Sequence, residues 1–356
     1  MRKLGIGIIG SGGIAQACHM PAYAAMPDKC ELVAVADLNR QTAESAAEKF
    51  KVPNAFTDYR ELLALDGVDA VSIGTPNAFH KQPTVDALKA GKHVLVEKPM
   101  AMNAAECKEM IRAQRESAKV LQVALQWRFS GAARFMRKYI ESGRMGDIYY
   151  ARAQALRRRG VPGWGVFIDK EKQGGGPLID IGVHILDFVL YLMEYPKPVR
   201  VSGSTYQAMG ADPKYWNAWG DYDRTKFTVE DFAVGLIRFE NGAAVTIESS
   251  FMANLEREIF GCHLFGTESG AAMDLFSDDP IRIYSETDHQ LFDSIPRNIP
   301  NVKSAHAAEV SAFVNAIIDG GPSPVPGEQG LVLCAIFDAL YRSAETGREE
   351  PVDVEV

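Results

Sequence analysis

Two side chains able to exchange a proton stand four residues apart in the stretch Gly174-Gly175-Gly176-Pro177-Leu178-Ile179-Asp180-Ile181-Gly182-Val183-His184-Ile185-Leu186-Asp187. Glycines and a proline end one segment and an apolar run opens a helix, so Asp180 and His184 share a helical face. A carboxylate beside an imidazole suits general acid–base chemistry, because the imidazole titrates near neutral pH. The plainer alternative is a core histidine bonded to its neighbouring acid. Three consecutive glycines weaken local structure and suit a place that a backbone or a ligand approaches closely, and a ligand is the expectation here. A lysine, Lys98, stands in Glu97-Lys98-Pro99 directly after the strand-like run His93-Val94-Leu95-Val96.

Elements must position these residues. Leu4 to Ile9 reads as a strand that runs into Gly10-Ser11-Gly12-Gly13-Ile14-Ala15 and then a helix-like segment. In G-x-G-x-x-A, the first glycine permits the tight turn and the second admits a pyrophosphate. The small third residue packs helix on strand, with the phosphates at the helix N-terminus. Glu31 to Asp37 is a second strand, ending in an acid that can accept hydrogen bonds from adenosine ribose hydroxyls. Helices at Thr42 to Phe50, Asp58 to Leu65, Lys81 to Ala90 and Ala104 to Ser117 alternate with strands at Ala70 to Gly74, His93 to Val96 and Val120 to Ala124. The alternation predicts an α/β architecture whose residues 1–125 form a Rossmann domain with a doubly wound parallel sheet. Thr75-Pro76-Asn77 and Glu97-Lys98-Pro99 then fall at the carboxyl ends of strands, the edge where open α/β sheets bind ligands.

From Gln126 the pattern changes, and residues 126–356 read as an α+β domain with a large, mainly antiparallel open sheet. Helical segments at Ala132 to Ser142 and Ile179 to Met193 are joined by strand-like runs with no helices between them: Ile148 to Ala155, Val199 to Tyr206, Asp231 to Phe239, Ala243 to Phe251, Glu258 to Gly266, Ala271 to Phe276 and Ile281 to Ser285. Glu240-Asn241-Gly242 is a hairpin turn, and helices return at Glu309 to Asp319 and Gly330 to Thr346. The insertion Gly210 to Phe227 carries Tyr215, Trp216, Trp219 and Tyr222, either a packing cluster or an aromatic wall for a ligand.

Composition narrows the function. The chain has 356 residues, 47% hydrophobic and 24% charged, enough for two domains each with its own core. Its net charge of -8 lacks acidic or basic blocks, which argues against nucleic acid or an anionic membrane surface as a partner. Five scattered cysteines without C-x-x-C spacing indicate neither a disulfide framework nor a zinc cluster. With no cleavable leader and no stretch expected to span a bilayer, the cytoplasm is the expected location.

Gly10-x-Gly12-x-x-Ala15, Asp37, Thr75-Pro76-Asn77-x-x-His80, Glu97-Lys98-Pro99, Arg128 and Gly174-Gly175-Gly176 with Asp180-x-x-x-His184-x-x-Asp187, in this order, resemble the Gfo/Idh/MocA family of nicotinamide-dependent oxidoreductases. Within it, the chain looks most like sugar and inositol dehydrogenases, including those that oxidise a ring hydroxyl of glycosides. The resemblance implies NAD, with NADP less favoured, held by Gly10, Gly12, Gly13, Ile14, Asp37, Thr75, Asn77, His80, Glu97, Lys98 and Arg128. His80 could instead close a turn, and Arg128 could steady the junction of the domains. It also implies that Lys98, Asp180 and His184 surround the reacting carbon of a sugar or polyol.

The chemistry agrees. Oxidising a secondary alcohol removes the hydroxyl proton while hydride leaves, which calls for a base near neutral pKa and a cation to steady the developing alkoxide. His184 is the expected base, Lys98 the cation and Asp180 the residue that orients the pair, with Arg158 and Trp164 as further substrate contacts. His306, just before a helix, faces either the substrate or solvent. No metal is expected, because no cysteine or second histidine lies close to Asp180, His184 and Asp187 to complete a zinc site. Two alternatives remain at this stage: a glycoside hydrolase that oxidises transiently with bound NAD, and a non-catalytic nucleotide sensor. By resemblance alone, a homo-oligomer (dimer or tetramer) is expected.

Overall fold

The computed structural model describes residues 2–356. Strands β1 (Leu4–Ile9), β2 (Cys30–Ala36), β3 (Asn54–Phe56), β4 (Ala70–Ile73), β5 (His93–Val96) and β6 (Leu121–Val123) form one sheet in the order β3-β2-β1-β4-β5-β6. All its pairings are parallel. The strand order reverses between β1 and β4, the switch point at which doubly wound sheets bind dinucleotides. The short β3 was not foreseen, since three residues are too few to show a period of two. The helix Ala305–Asp319 sends Val310, Phe313 and Val314 into the core formed by Ile6, Ile8, Val35 and Leu95. Residues 303–334 therefore group with the first compact unit, which runs to Phe129, although they follow the second sheet in sequence. The second unit comprises Ser130–Val302 and Ala335–Glu355.

The second unit is built on nine strands: β7 (Ile148–Leu156), β8 (Pro198–Tyr206), β9 (Phe232–Phe239), β10 (Ala244–Ser250), β11 (Ile259–Gly266), β12 (Ser269–Asp274), β13 (Ile281–Thr287), β14 (Gln290–Ser294) and β15 (Glu350–Pro351). Their order is β14-β13-β12-β11-β7-β10-β9-β8-β15. The sheet is mixed: β7 and β10 pair in parallel, and the other neighbours are antiparallel. The expected hairpin joins β9 to β10, with Gly242 at φ +87. Along β7 the alternate residues Ala151, Ala153 and Ala155 are fully buried, and their small side chains let the apolar helix Val183–Leu192 lie close against the sheet.

Contrary to expectation, the run Lys170–Leu192 has the length and apolar character to cross a bilayer. It is 83% buried inside the fold and serves as the core helix of the second unit. The 3.6-residue period also missed two π-helical turns, Ala15–His19 and Leu178–Gly182, each opening a helix that carries candidate site residues. Such turns recur at functional sites.

At the start of β5, the His93 Nδ1 accepts a hydrogen bond of 3.0 Å from the Val120 N–H. Burial, aided by Lys119, pushes the His93 imidazole down from 6.5 to about 4. The folded chain thus keeps this ring neutral where the unfolded chain protonates it. The stability this contributes is complete above the unfolded value of 6.5 and is lost as pH falls towards about 4. His93→Asn, whose side-chain oxygen can accept the same N–H, should lose less stability than the wild type between about pH 7 and about pH 5. Urea midpoints for both proteins at the two pH values check this; equal losses would refute it.

Candidate active site

In the first unit, the loop after β1 is shaped by its glycines. Gly10 has φ +81, and a Cβ there would lie 2.7 Å from the Thr75 nitrogen, so the turn can press against the end of β4 only with glycine. At Gly12 and Gly13 a Cβ would meet no atom within 4 Å. The Ser11 N–H donates to Asp37 Oδ2 at 3.0 Å and the Asn39 N–H to Asp37 Oδ1 at 2.9 Å. Each carboxylate oxygen retains a lone pair for a further donor such as a ribose hydroxyl. Ser11 is fully buried, and its Oγ has no protein partner. The following π turn starts at Ile14 without a side-chain cap, leaving backbone donors of the kind a pyrophosphate accepts from.

Thr75 Oγ1 donates to the Phe79 carbonyl at 2.9 Å, and Asn77 opens the 3₁₀ turn Asn77–Phe79. His80 is fully buried, with Nδ1 2.8 Å from the Pro99 oxygen and Nε2 2.8 Å from the Thr75 oxygen. It lies between the loops after β4 and β5, in keeping with the turn-closing role left open for it in the sequence. Burial pushes its pKa down. Arg128 is also buried and donates through Nη1 to Gln329 Oε1. From Val94 to Ala101, Lys98 is the one residue that is not buried. Burial likewise pushes the half-buried His306 down, and Glu97, His19 and Lys98 are near enough to act on its charge.

In the second unit, Asp180 and His184 are the two residues not buried between Gly175 and Leu190. Asp180 lies in the π turn and His184 at the start of the α-helix that continues it. The expected sharing of one face therefore holds in the structure as a shared line of exposure. No side chain caps this helix from the Pro177 position; instead the Glu230 carboxylate accepts from the N–H groups of Gly176 at 2.9 Å and Leu178 at 3.2 Å. Tyr341 donates its hydroxyl to Glu230 Oε1 at 3.0 Å. Burial nevertheless pushes the Glu230 carboxyl up, against these donors. A Cβ on Gly175 would lie 1.9 Å from the Tyr341 hydroxyl, and one on Gly176 2.1 Å from the Glu230 carbonyl oxygen. The glycine run thus admits the protein's own Glu230 and Tyr341, which corrects the expectation of a ligand at that point.

The loop after β7 holds Arg157 inward. Its guanidinium lies 3.7 Å from Asp180 Oδ2, donates to the Gly160 carbonyl at 3.1 Å, and sits 4.0 Å from the centroid of the Trp219 ring. Burial works to lower the Arg157 pKa, while the carboxylates of Asp180 and Glu258 oppose it. Trp219 in turn stacks on Trp164, with centroids 6.0 Å apart and planes within 7°. Arg158, the substrate contact expected from the sequence, is exposed; its backbone N–H donates to Glu258 Oε1 and its Nη1 to the Glu256 carbonyl, while Arg157 is the arginine beside Asp180. The aromatic insertion divides between a packing cluster and a ring stack. Tyr215, Tyr222 and Phe227 pack in a core with Val161, Phe251 and Met252, whereas Trp219 joins Arg157 and Trp164. Asn217, bonded both ways to the backbone of Val161, fastens the two loops together. Asp187 is buried against the Tyr195 hydroxyl. Among the described residues, no three His, Cys, Asp or Glu side chains converge to hold a metal.

Residues 4–125 match the family model described as an oxidoreductase family NAD-binding Rossmann fold, and residues 137–354 its C-terminal alpha/beta domain. The chain belongs to the Gfo/Idh/MocA oxidoreductase family. It is 38% identical to the D-glucoside 3-dehydrogenase of Escherichia coli (strain K12), over 97% of this chain and 96% of that one. It is 28% identical to the levoglucosan dehydrogenase of Pseudarthrobacter phenanthrenivorans over 99% of each. Among solved structures, a levoglucosan dehydrogenase in complex with NADH and levoglucosan superposes with a TM-score of 0.85 at 26% identity, covering 99% of this chain and 100% of that one.

The first unit of this oxidoreductase suits NAD, which supplies an acceptor for hydride. Gly10, the open Gly12 and Gly13, the buried Ser11 hydroxyl and Asp37 fit a dinucleotide. Sequence reasoning missed Arg157 and Glu230. The parity of β7 points to the first, because Arg157 continues the inward series Ala151, Ala153, Ala155. For Glu230, more than fifty residues from the helix it caps, no local signal exists.

Asp37 should repel the 2′-phosphate of NADP, so kcat/KM should favour NAD by at least about tenfold, and Asp37→Ala should narrow that ratio. Initial rates with both cofactors decide it. Equal efficiency in the wild type would count against the assignment. Likewise Arg157→Ala should cost about 10- to 100-fold in kcat/KM while Arg158→Ala costs less than about threefold. Comparable losses would put the two arginines on an equal footing.

Proposed function

We propose that this protein oxidises a ring secondary hydroxyl of a sugar, with glycosides as the favoured substrates, passing hydride to NAD. The observation that carries the reading is the partly exposed pair Asp180 and His184 on a mostly buried helix, with Arg157, Trp219 and Trp164 extending from Asp180. The half-exposed His184 takes the hydroxyl proton, and Asp180 orients it. Lys98 supplies positive charge for the developing alkoxide. Trp164, 59% exposed, and Trp219 offer aromatic surface of the kind that packs on the apolar face of a pyranose ring. The names of the relatives, which act on a glucoside and on levoglucosan, support a carbohydrate rather than an inositol.

The same reading places the enzyme in the cytoplasm as a homo-oligomer. Five scattered cysteines without C-x-x-C spacing support a reducing compartment, and the partly exposed sheet face bearing Tyr150 and Phe265 supports self-association. Light scattering of the purified protein tests the second point, and a monomer at all concentrations would rule it out.

His184→Ala should lower kcat by about 100- to 10,000-fold on the best substrate of a sugar, glycoside and polyol panel, with NAD affinity nearly unchanged. Lys98→Ala should act on the same step, so the double variant should lose less than the product of the single losses. NADH formation and product analysis are followed together. Release of free sugar without net NADH would replace this reading with transient oxidation and elimination, and a His184→Ala protein of near-normal turnover would move the base elsewhere.

A further inference from the structure

The first unit holds a buried polar chain that the proposed chemistry leaves unused. His19, the last residue of the π turn Ala15–His19, is fully buried, with Nε2 2.9 Å from Glu97 Oε1 and Nδ1 2.7 Å from Ser72 Oγ. The other Glu97 oxygen accepts the Lys98 backbone N–H at 3.0 Å. One residue further on, the Pro99 carbonyl is held by His80 at 2.8 Å. Buried imidazoles thus lie on both sides of the segment that presents Lys98: His19 acts through Glu97, and His80 stands beside Pro99. Ser72, His19 and Glu97 follow the serine–histidine–acid order of hydrolases, but Ser72 is fully buried at the centre of β4, so no substrate can meet its hydroxyl.

We propose that His19 is a positioning residue for Lys98: it fixes the Glu97 carboxylate, which holds the Lys98 backbone, and so joins the turn that opens the nucleotide helix to the lysine. This rests on the role given to Lys98 above. Burial alone would raise the Glu97 carboxyl, yet the hydrogen bond and charge of His19, followed by Lys98 and the backbone N–H, hold it below its ordinary value. A buried carboxylate that loses its donor becomes protonated or turns away; the first weakens its bond to the Lys98 N–H and the second breaks it. The nucleotide loop and Lys98 would then no longer be set by one continuous chain of bonds.

The test compares His19→Leu, of similar bulk but without a donor, with His19→Gln, whose amide N–H can reach Glu97. Both are made in the full chain and measured with NAD present and absent. His19→Leu should lower kcat about 10- to 100-fold with KM for NAD within about threefold, and His19→Gln should regain most of that loss. Amide hydrogen exchange over residues 97–102 should quicken in the leucine variant alone, with exchange in β11 unchanged. If the leucine variant keeps wild-type turnover and exchange, the proposal fails. It fails equally if both variants lose activity together with faster exchange throughout the chain, which marks His19 as a plain core residue. Should the wild type oxidise no sugar, the functional reading above falls, while the exchange comparison still decides whether His19 holds the Lys98 segment.

Discussion

A helix begins with backbone N–H groups that its own carbonyls cannot take up, and this protein meets that constraint in two opposite ways. After β1, the turn through Gly10, Gly12 and Gly13 leads into a helix without a side-chain cap, and space for two missing Cβ atoms lies beside it. After Gly174-Gly175-Gly176, a buried glutamate takes the donors: Glu230 accepts from Gly176, Leu178 and the Tyr341 hydroxyl. The first solution leaves a place for phosphates. The second satisfies the helix from within the protein and leaves Asp180 and His184 on its partly exposed line. Similar glycine-rich sequences thus serve a ligand in one unit and the protein's own interior in the other.

This difference marks how far the sequence could be read. The alternation of strands and helices in the first unit was legible because a buried parallel strand and an amphipathic helix each impose a local period. The antiparallel hairpin β9–β10 announced itself through Asn241 and Gly242 for the same local reason. The parallel contact between β7 and β10 was not legible, since nothing in either strand records its neighbour's direction. Nor was the return of the helix Ala305–Asp319 to the first core, which depends on side chains some three hundred residues away. The π turns escaped because a single wider turn leaves the apolar pattern almost unchanged.

The candidate site divides along the same line. Asp37, Lys98, Asp180 and His184 stand at ends or exposed faces of elements whose type was readable, so their positions followed from the elements. Arg157 and Arg158 differ in register: Arg157 lies beside Asp180 and Arg158 is exposed. In an alternating strand a one-residue slip moves a side chain to the opposite face, and the series Ala151, Ala153, Ala155 fixes which face is inward. The inward arginine meets Asp180 and Trp219, while the guanidinium of the outward one donates to the Glu256 carbonyl.

The three histidines around which the reading turns show why burial, more than residue type, separates chemistry from architecture. His19 and His80 are fully buried, and both ring nitrogens of each lie within 2.9 Å of a protein oxygen. Passing a proton to a substrate from either ring would break a hydrogen bond in a low-dielectric interior, where an unpaired polar group is costly. Such rings are well suited to hold loops. His184 instead lies at the partly exposed edge of its helix, on the same face as Asp180. Within the first unit, buried imidazoles hold the loops around Lys98; within the second, a partly exposed one lies on a helix.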